Sequence, residues 1–325
     1  MYVLTFNSHQ PYVYELARIS GLDLLVIDEL PGRHQDKWDS AVRALPSNIQ
    51  LLSLDAVLQA PPACDVLIAH NLTDLSAVQT IDLPKVLLIH SSLEGLLATQ
   101  TTTSSRDDIH RILQTYIQLK QVMVTGVSTM KAASWGITDC PIIPFTTDTD
   151  FFQGYTGTIP KGLRVTTQLI SKREVLNLDF FTNLINGFDV QLVGRNRGLD
   201  SVIPETPQDL LQLYQSHRFY IHTAAERMED GYNMASLEAM ATGMPIICNQ
   251  HTSAPIVNGK SGFMSSNVTE LQEKMRLLES NLDLARTLGE EARQYVVANH
   301  SFDQFEKKWV DVLELAIRRY EKDRT

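Results

Sequence analysis

Short apolar runs recur along the first half of the chain, and more polar, helix-like segments separate them. The runs are rich in leucine and β-branched residues without polar alternation, which is typical of strands buried on both faces of a parallel sheet. They lie at residues 3–6, 24–28, 49–52, 66–70, 86–90, 122–125 and 142–144. The alternation of strands with helices predicts a doubly wound α/β domain over residues 1–148.

The same alternation continues in the second half of the chain. Apolar runs at residues 164–170, 190–194, 219–223 and 246–248 are again separated by helix-like segments. This pattern predicts a second α/β domain over residues 149–300. The last segment, 301–325, is predicted to be a helix, because apolar side chains recur there at helical spacing and form a single face. That face consists of Phe305, Trp309, Val312, Leu313, Ala316, Ile317 and Tyr320.

Residues 229–245 have the pattern of a glycine-containing loop, a short helix and a turn. Asn233 is a helix-capping residue type, and Gly243 and Pro245 stand where a helix of about two turns would stop. The helix has almost no polar face, yet Glu238 lies in its middle. A buried carboxylate without a partner costs several kcal/mol, so Glu238 requires one. Two partners remain open, a neighbouring arginine and a ligand.

Asp230 precedes Glu238 by eight positions, in the loop that leads into the helix. The first helical N–H groups, from Met234 to Ser236, have no acceptor within the helix and lie at the positive end of its dipole. Such a helix start binds phosphate. The stretch therefore predicts a phosphate at Met234 and Ala235 and hydroxyl groups at Asp230 and Glu238. A nucleotide sugar combines these groups.

Composition narrows the classes of function. The 325 residues carry a formal net charge of −10, with 9 basic and 15 acidic residues up to Asp148 and 19 and 23 beyond it, so neither half is suited to bind nucleic acid. Cys64, Cys140 and Cys248 are too far apart to form a metal or redox pair. No apolar run is long enough for a transmembrane segment, and residues 1–6 lack the basic start of a signal peptide. A cytoplasmic protein is expected, with the inner membrane face as a second location.

Residues 230–245 resemble the signature of retaining glycosyltransferases of the family-4 type. That signature is a carboxylate, a Gly-aromatic-Gly loop, and a helix reading Leu-Glu-Ala-Met-Ala that ends in Gly-x-Pro. Asp230 takes the place of the first Glu and Asn233 that of the second Gly, and Glu229 is an alternative for the first acid. The resemblance implies the GT-B fold, in which two Rossmann-like, doubly wound α/β domains face a cleft and a C-terminal helix crosses back to the first domain.

The resemblance also implies an activity. Proteins of this type move a sugar from a nucleoside diphosphate-sugar donor to an acceptor with retention of configuration, and they require no metal cofactor. The first domain would then face the acceptor and the second would bind the donor. Glu238 would accept hydrogen bonds from the ribose and Asp230 from the donor sugar. The sequence specifies neither the acceptor nor the oligomeric state.

Positive charge for the diphosphate is expected after the first strand of the second domain. Arg173 aligns with the family's lysine that neutralises the leaving group, and Lys172 is its neighbour. The family's arginine falls at Gln168, which is neutral. Gly194 and Arg195 resemble the glycine turn that approaches the nucleotide after the second strand. Taken without the carboxylate signature, Lys172 and Arg173 are better explained as a solvated helix start.

Polar residues follow three apolar runs of the first domain, at 7–9, 70–71 and 90–92. Ligand sites of doubly wound sheets lie beyond the carboxyl ends of the strands, so these residues form a second candidate site. His90 looks most like the histidine with which family-4-type proteins approach the donor sugar, and His9 is second. Each histidine taken alone is more simply explained as a loop residue that makes local hydrogen bonds.

Three departures from the family pattern favour an alternative function. Gln168 is neutral, the first loop lacks the family's Gly-Gly pair, and Pro255 stands where a Glu is common. The alternative is a catalytically impaired nucleotide-sugar-binding or regulatory subunit. Asp148 and Asp150 have the spacing of an Asp-x-Asp metal motif, but they follow an Ile-Pro run and precede two phenylalanines, which resembles the family's interdomain junction. No metal ligand is predicted.

Overall fold

The protein is described by a computed structural model, which covers residues 1–29, 37–99, 103–119 and 122–322. The chain divides into two compact units. The first unit combines Met1–Ser92, Thr103–Pro144 and Asp303–Thr325, and the second combines Phe145–Phe302 with the short segment Leu93–Thr102. The first unit is therefore assembled from separate parts of the chain, whereas the second is nearly continuous.

The helices and strands are numbered along the chain. The strands are β1 (Tyr2–Phe6), β2 (Asp23–Asp28), β3 (Ile49–Ser53), β4 (Val66–Ala69), β5 (Lys85–Ile89), β6 (Met123–Gly126), β7 (Ile159–Val165), β8 (Val190–Val193), β9 (His217–His222), β10 (Ile246–Asn249) and β11 (Gly262–Ser265). The helices are α1 (Gln10–Ala17), α2 (Leu54–Gln59), α3 (Leu72–Ala77), α4 (Leu93–Ala98), α5 (Arg106–Leu119), α6 (Thr129–Ser134), α7 (Leu178–Leu184), α8 (Pro207–Ser216), α9 (Met234–Thr242), α10 (Val268–Ser280), α11 (Leu282–Asn299) and α12 (Phe302–Lys322).

The sheet of the first unit has the order β3-β2-β1-β4-β5-β6, and every pair of neighbouring strands is parallel. Strand β4 is apolar along its whole length, and β5 is apolar after Lys85 at its start, as the sequence pattern predicts for strands that are buried on both faces. The strand order reverses between β1 and β4. In doubly wound sheets this switch point, at the carboxyl ends of the strands, is where ligands bind.

The sheet of the second unit has the order β11-β10-β9-β7-β8, and its strands are also parallel. Its strand order reverses between β7 and β9. The loops that follow these two strands contain the predicted cations and the predicted acidic loop, so the fold brings both to one edge of the sheet. Helices α7, α10 and α11 contribute to its hydrophobic core.

Two strand predictions are wrong in detail, and one strand was missed. The predicted strand at 142–144 is reduced to one bridge between Gly126 and Ile142, because prolines at both ends of this run lack the N–H that a ladder needs. The predicted strand at 164–170 begins and ends earlier, as β7, because Gln168 adopts a left-handed conformation with φ of 58° that breaks the extended chain. Strand β11 was not predicted, since it is short and begins with glycine.

Helix α12 packs within the first unit. Five residues of the predicted apolar face are buried, with Trp309 completely so, and Ile317 and Tyr320 are half-buried. The Trp309 Nε1–H donates a hydrogen bond of 3.0 Å to the hydroxyl of Tyr12, which lies in α1. None of the helices in the described ranges is both long and apolar enough to cross a bilayer.

Candidate functional site

Helix α9 begins and ends as its sequence predicts. The Asn233 side chain accepts a hydrogen bond of 2.9 Å from the Ser236 N–H, and the Ser236 hydroxyl oxygen accepts one of 2.8 Å from the Asn233 N–H. This reciprocal cap fixes the first turn. The helix stops at Gly243, whose φ of 99° is in the left-handed region that glycine adopts without strain. The Asn233 cap and Gly243 therefore fix where this short apolar helix begins and ends.

The cap decides which amides remain for a ligand. The expectation that Ser236 offers its N–H to a phosphate is wrong, because Asn233 occupies that donor. Within the described residues, the amides of Met234 and Ala235 have no hydrogen-bond acceptor. These two N–H groups lie at the positive end of the α9 dipole, so they form a favourable position for an anion.

Glu238 is buried in the middle of α9, with 4% of its surface exposed. Its carboxylate accepts a hydrogen bond of 3.0 Å from the hydroxyl of Tyr214, which lies in α8 and is itself fully buried. The partner that burial demands is therefore present, and it is a tyrosine. A carboxylate has about four lone-pair positions, and the hydrogen bond from Tyr214 uses one of them.

The loop before α9 is held by a second loop. Asp230 is fully buried, and its N–H donates to Glu229 Oε1 at 3.0 Å. His251 Nε2 lies 2.9 Å from the Glu229 carbonyl oxygen, and the Gly231 N–H donates to Ser253 Oγ at 2.9 Å. A Cβ atom at position 231 would lie only 2.7 Å from a backbone nitrogen of this second loop, so the close approach requires glycine.

The two predicted cations have different surroundings. Lys172 is partly buried, and burial lowers its pKa while the nearby negative charge of Glu229 opposes that shift. Arg173 is exposed and forms an ion pair of 3.1 Å with Asp179. Lys172, rather than the aligned Arg173, is therefore the cation that lies beside the acidic loop.

The turns after β7 and β8 pack closely and are joined by a backbone hydrogen bond. Gly194 has φ of 109°, and a Cβ atom there would lie 2.3 Å from the carbonyl oxygen of Thr166. The Gln168 N–H donates to the Arg195 carbonyl at 3.1 Å, and the Gln168 carbonyl accepts from the Lys172 N–H at 3.0 Å. Gln168 thus shapes the turn through its backbone N–H and carbonyl groups. The side chain of Arg195 is exposed.

The first unit contains a cluster of three histidines, each just after a strand. His9, His70 and His90 follow β1, β4 and β5. His70 Nδ1 lies 2.7 Å from His90 Nε2, and the His9 ring stacks on the His90 ring with centroids 5.6 Å apart. The Tyr12 ring lies nearly perpendicular to the His90 ring, with the ring centroids 4.7 Å apart. Burial lowers the pKa of His90 well below its usual value, and the charges of His70, His9 and Lys131 lower it further.

Several residues of these sites were not predicted as site residues. Tyr214 gives no signal, because it is brought to Glu238 from another helix. His251 and Ser253 lie directly after β10, at the same edge of the sheet as the acidic loop, and that position would have identified them. His70 follows a strand in the same way as His90 and was noted only as part of a polar cluster.

Asp148 has a structural contact at the predicted junction. Its Oδ1 accepts hydrogen bonds of 3.1 Å from the N–H groups of Asp150 and Phe151, so it caps the turn that follows. In the described part of the chain, no group of three or more His, Cys, Asp or Glu side chains has an arrangement that could hold a metal ion.

Two parallel-sheet α/β units of this kind define the GT-B fold, and solved glycosyltransferase structures share it. Sucrose-phosphate synthase from Thermosynechococcus elongatus is 11% identical, with a TM-score of 0.71 over 98% of this chain and 100% of that chain. HepE from Anabaena, solved with UDP, is 12% identical, with a TM-score of 0.68 over 96% and 99%. A glycosyltransferase from Rickettsia africae is 16% identical, with a TM-score of 0.66 over 97% and 98%.

The second unit also matches a sequence family. Residues 173–311 match the family model described as glycosyl transferase-like. The resemblance to glycosyltransferases of the GT-B fold is therefore confirmed. TarM from S. aureus is also similar, with a TM-score of 0.57 and 13% identity, and the match spans 76% of this chain and 55% of TarM. A comparison with curated proteins finds no match.

Proposed function

We propose that the protein is a retaining glycosyltransferase that transfers a sugar from a nucleoside diphosphate-sugar to an acceptor and needs no metal ion. One observation carries this proposal. The amides of Met234 and Ala235 lie without acceptors among the described residues, at the start of a helix whose preceding loop contains Glu229, with Lys172 beside it. This arrangement suits a phosphate group, and it lies in the unit that matches the glycosyl transferase-like family.

The proposed catalysis rests on charge that develops in the reaction. When the bond between the sugar and the diphosphate breaks, negative charge grows on the diphosphate. Lys172 and the amides of Met234 and Ala235 would stabilise that charge more strongly in the transition state than in the ground state. Arg173 would contribute less, because it is exposed and paired with Asp179. Positive charge from the chain itself would take the place of a metal ion.

The carboxylates would bind hydroxyl groups. Glu238 would accept hydrogen bonds from the ribose in addition to the one that it accepts from Tyr214. Asp230 or Glu229 would accept hydrogen bonds from the donor sugar, and the contacts of His251 and Ser253 would hold their loop in place. In the first unit, His90 would bind a sugar hydroxyl, with the His9 ring stacked on the His90 ring. These roles follow the family resemblance, residue by residue.

The uridine nucleotides are the first probes of the donor site, because HepE has been solved with UDP and with UDP-glucose. Calorimetric titration with UDP, GDP and ADP, each with and without EDTA, would measure affinity and metal dependence. We expect saturable binding of one nucleotide that EDTA leaves unchanged. Loss of binding in EDTA, restored by magnesium or manganese, would contradict the metal-independent mechanism.

Turnover separates an enzyme from a binding subunit. Release of nucleoside diphosphate from the matching donor would be measured against a panel of acceptors, and the anomeric configuration of the product would be determined by NMR. We expect the configuration of the donor to be retained. Tight nucleotide binding without release from any donor would favour the regulatory or binding subunit, and absence of nucleotide binding would refute the proposal.

A further inference from the structure

Arg164 of β7 is a buried arginine of the second unit, with 2% of its surface exposed. Its Nη1 donates a hydrogen bond of 2.7 Å to Thr223 Oγ1. Its Nη2 makes longer contacts of 3.4 and 3.5 Å with the carbonyl oxygens of Thr223 and Leu176, and its guanidinium carbon lies 4.2 Å from the ring centroid of Phe181. Among the described residues, no carboxylate pairs with Arg164, and its Nε has no hydrogen-bond acceptor. These contacts leave the positive charge without a counter-charge.

The stability of the fold does not explain a charge at this position. Burial of an ionised group is unfavourable unless an opposite charge is close, and apolar residues of similar volume often replace buried charged groups without loss of stability. Burial lowers the pKa of Arg164 to about 10, so the guanidinium is still protonated at neutral pH. Among the described residues, the one titratable group that acts on Arg164 is the Tyr220 hydroxyl, which burial keeps neutral.

A second buried arginine of the same unit has different surroundings. Arg218 is 6% exposed and donates hydrogen bonds of 2.6–2.8 Å to the carbonyl oxygens of Gly157, Leu278 and Glu279. It also interacts electrostatically with the Glu279 carboxylate, so its charge is balanced. Arg218 is the second residue of β9 and therefore lies at the opposite edge of the sheet from the candidate site. The two arginines are a matched pair that differs in counter-charge and in position.

The Arg164 guanidinium lies at the switch point of the second sheet. Thr223 directly follows β9, so the hydrogen bond from Arg164 is made at the carboxyl end of that strand. Leu176 belongs to the same turn as Lys172, because the Leu176 N–H donates to the Lys172 carbonyl at 2.9 Å. The buried charge therefore lies beneath the edge of the sheet where an anionic ligand is expected.

We propose that the donor diphosphate is the counter-charge of Arg164, which attracts it from within the core without contacting it. The inference rests on the proposed function for the position of the diphosphate. It also accounts for the neutral Gln168, which stands where the family signature has an arginine: the positive charge is present four residues earlier and below the surface. Solvent and salt screen a buried charge weakly, so its field reaches a ligand at the sheet edge.

Ligands that differ only in charge measure this effect. Calorimetry would give the Kd of UDP and UMP, and ligand-observed NMR that of uridine, for the parent and for Arg164→Gln and Arg164→Met. We expect both variants to raise the Kd of UDP about tenfold, that of UMP by less and that of uridine hardly at all. Unit charges about 10 Å apart at an effective dielectric constant of about 20 interact by roughly that factor. An unchanged Kd for UDP, or equal changes for the three ligands, would overturn the inference.

Two further variants separate the charge from packing. Thr223→Val removes the hydroxyl that Arg164 binds but keeps the charge, so its Kd for UDP should stay within about twofold of the parent value. Arg218→Gln is the matched control for the loss of a buried arginine, and it should lower the Tm without changing the Kd of any of the three ligands. If either variant lost as much UDP affinity as Arg164→Gln, packing and not charge would be responsible, and the inference would be wrong.

Arg164→Lys provides the test if the neutral variants do not fold. A buried lysine loses its proton at a lower pH than a buried arginine. The UDP affinity of Arg164→Lys relative to the parent should therefore fall as the pH rises from 7 to 9, and Lys172 cancels from this ratio because both proteins contain it. A ratio near one at every pH would overturn the inference.

The same titrations separate this inference from the proposed function. Binding of UDP to the parent with equal affinity in all Arg164 variants would refute the role of Arg164 alone. If the parent prefers another base, the matching nucleoside, monophosphate and diphosphate replace the uridine series. Failure of the parent to bind any nucleoside diphosphate would refute the proposed function and, with it, the counter-charge of Arg164.

Discussion

Replacement of Lys172 by methionine is expected to slow turnover far more than replacement of Arg173 by methionine. Lys172 is partly buried beside Glu229, whereas Arg173 is exposed and paired with Asp179. Alignment with the family signature ranks the two cations in the opposite order, since Arg173 takes the place of the family's lysine. The experiment therefore distinguishes Lys172, which the structure favours, from Arg173, which the alignment favours, as the cation that stabilises the leaving group.

The expected losses of kcat depend on how exposed each cation is. Removal of a group that stabilises charge in the transition state of a shielded site lowers kcat by about 100-fold to 1000-fold. Lys172 is only partly buried, so the lower figure, about 100-fold, is expected for Lys172→Met. Exposed ion pairs contribute about 0–1 kcal/mol. Arg173 is 60% and Asp179 80% exposed, so Arg173→Met should change kcat by no more than about fivefold.

Steady-state kinetics at saturating donor would measure both variants, with thermal melts to detect unfolding. Methionine retains an apolar stem and removes only the charge, so packing of the lysine stem is not lost. Lys161→Met is the matched control in the same unit, because Lys161 forms an exposed ion pair of 2.6 Å with Asp189 outside the site. A large loss in Arg173→Met with none in Lys172→Met would show that the alignment is right. A double variant at the parent rate would refute the leaving-group role.

Three further outcomes are expected. Tyr214→Phe should lower the free energy of unfolding by about 1.5–3 kcal/mol, because a buried hydrogen bond to the Glu238 carboxylate is lost. Urea denaturation would measure this loss, and an unchanged midpoint of the urea transition would contradict the contact. Glu238→Gln should raise the Kd for UDP about tenfold or more in calorimetry, with a smaller effect on kcat, and an unchanged Kd would exclude the ribose contact. Burial lowers the pKa of His90, His217 and His300, so the unfolded chain binds more protons than the folded one below about pH 6.5. Their contribution to stability is complete above that pH and is lost as the pH falls. The Tm should therefore drop between pH 7 and 5, and it should drop less in His217→Gln. If the Tm of the parent and of His217→Gln changed equally with pH, this assignment would be contradicted.

The fold follows closely from the sequence because buried parallel strands have few alternatives. Runs such as Leu87-Leu88-Ile89 contain no polar position and must be covered on both faces, which already requires helices between them. The ends of α9 were equally predictable, since Asn233 and Gly243 act through local backbone geometry. Errors occur where the backbone departs from a regular path. At Gln168 the φ angle is positive, and no residue type in that run predicts this conformation.

Only those parts of the candidate site that are contiguous in the sequence were predictable. The loop and helix around Asp230 and Glu238 are contiguous, so their spacing is visible in the sequence. Tyr214 is 24 residues from Glu238, and their contact depends on how α8 and α9 pack. The different surroundings of Lys172 and Arg173 depend on tertiary structure: Arg173 pairs with Asp179, and the charge of Glu229 acts on Lys172, which their positions in an alignment do not reveal.

The hydrogen bond between Trp309 and Tyr12 joins residues 297 positions apart, and it affects the order in which the chain can fold during synthesis. Tyr12 packs against His90, so the histidine cluster lacks part of its support until residues 302–322 have left the ribosome. The nearly continuous second unit has no such requirement and can fold first. Limited proteolysis of ribosome-stalled chains would show this as protection of the second unit before the first. The part of the protein that is synthesised first is therefore expected to be the part that is completed last.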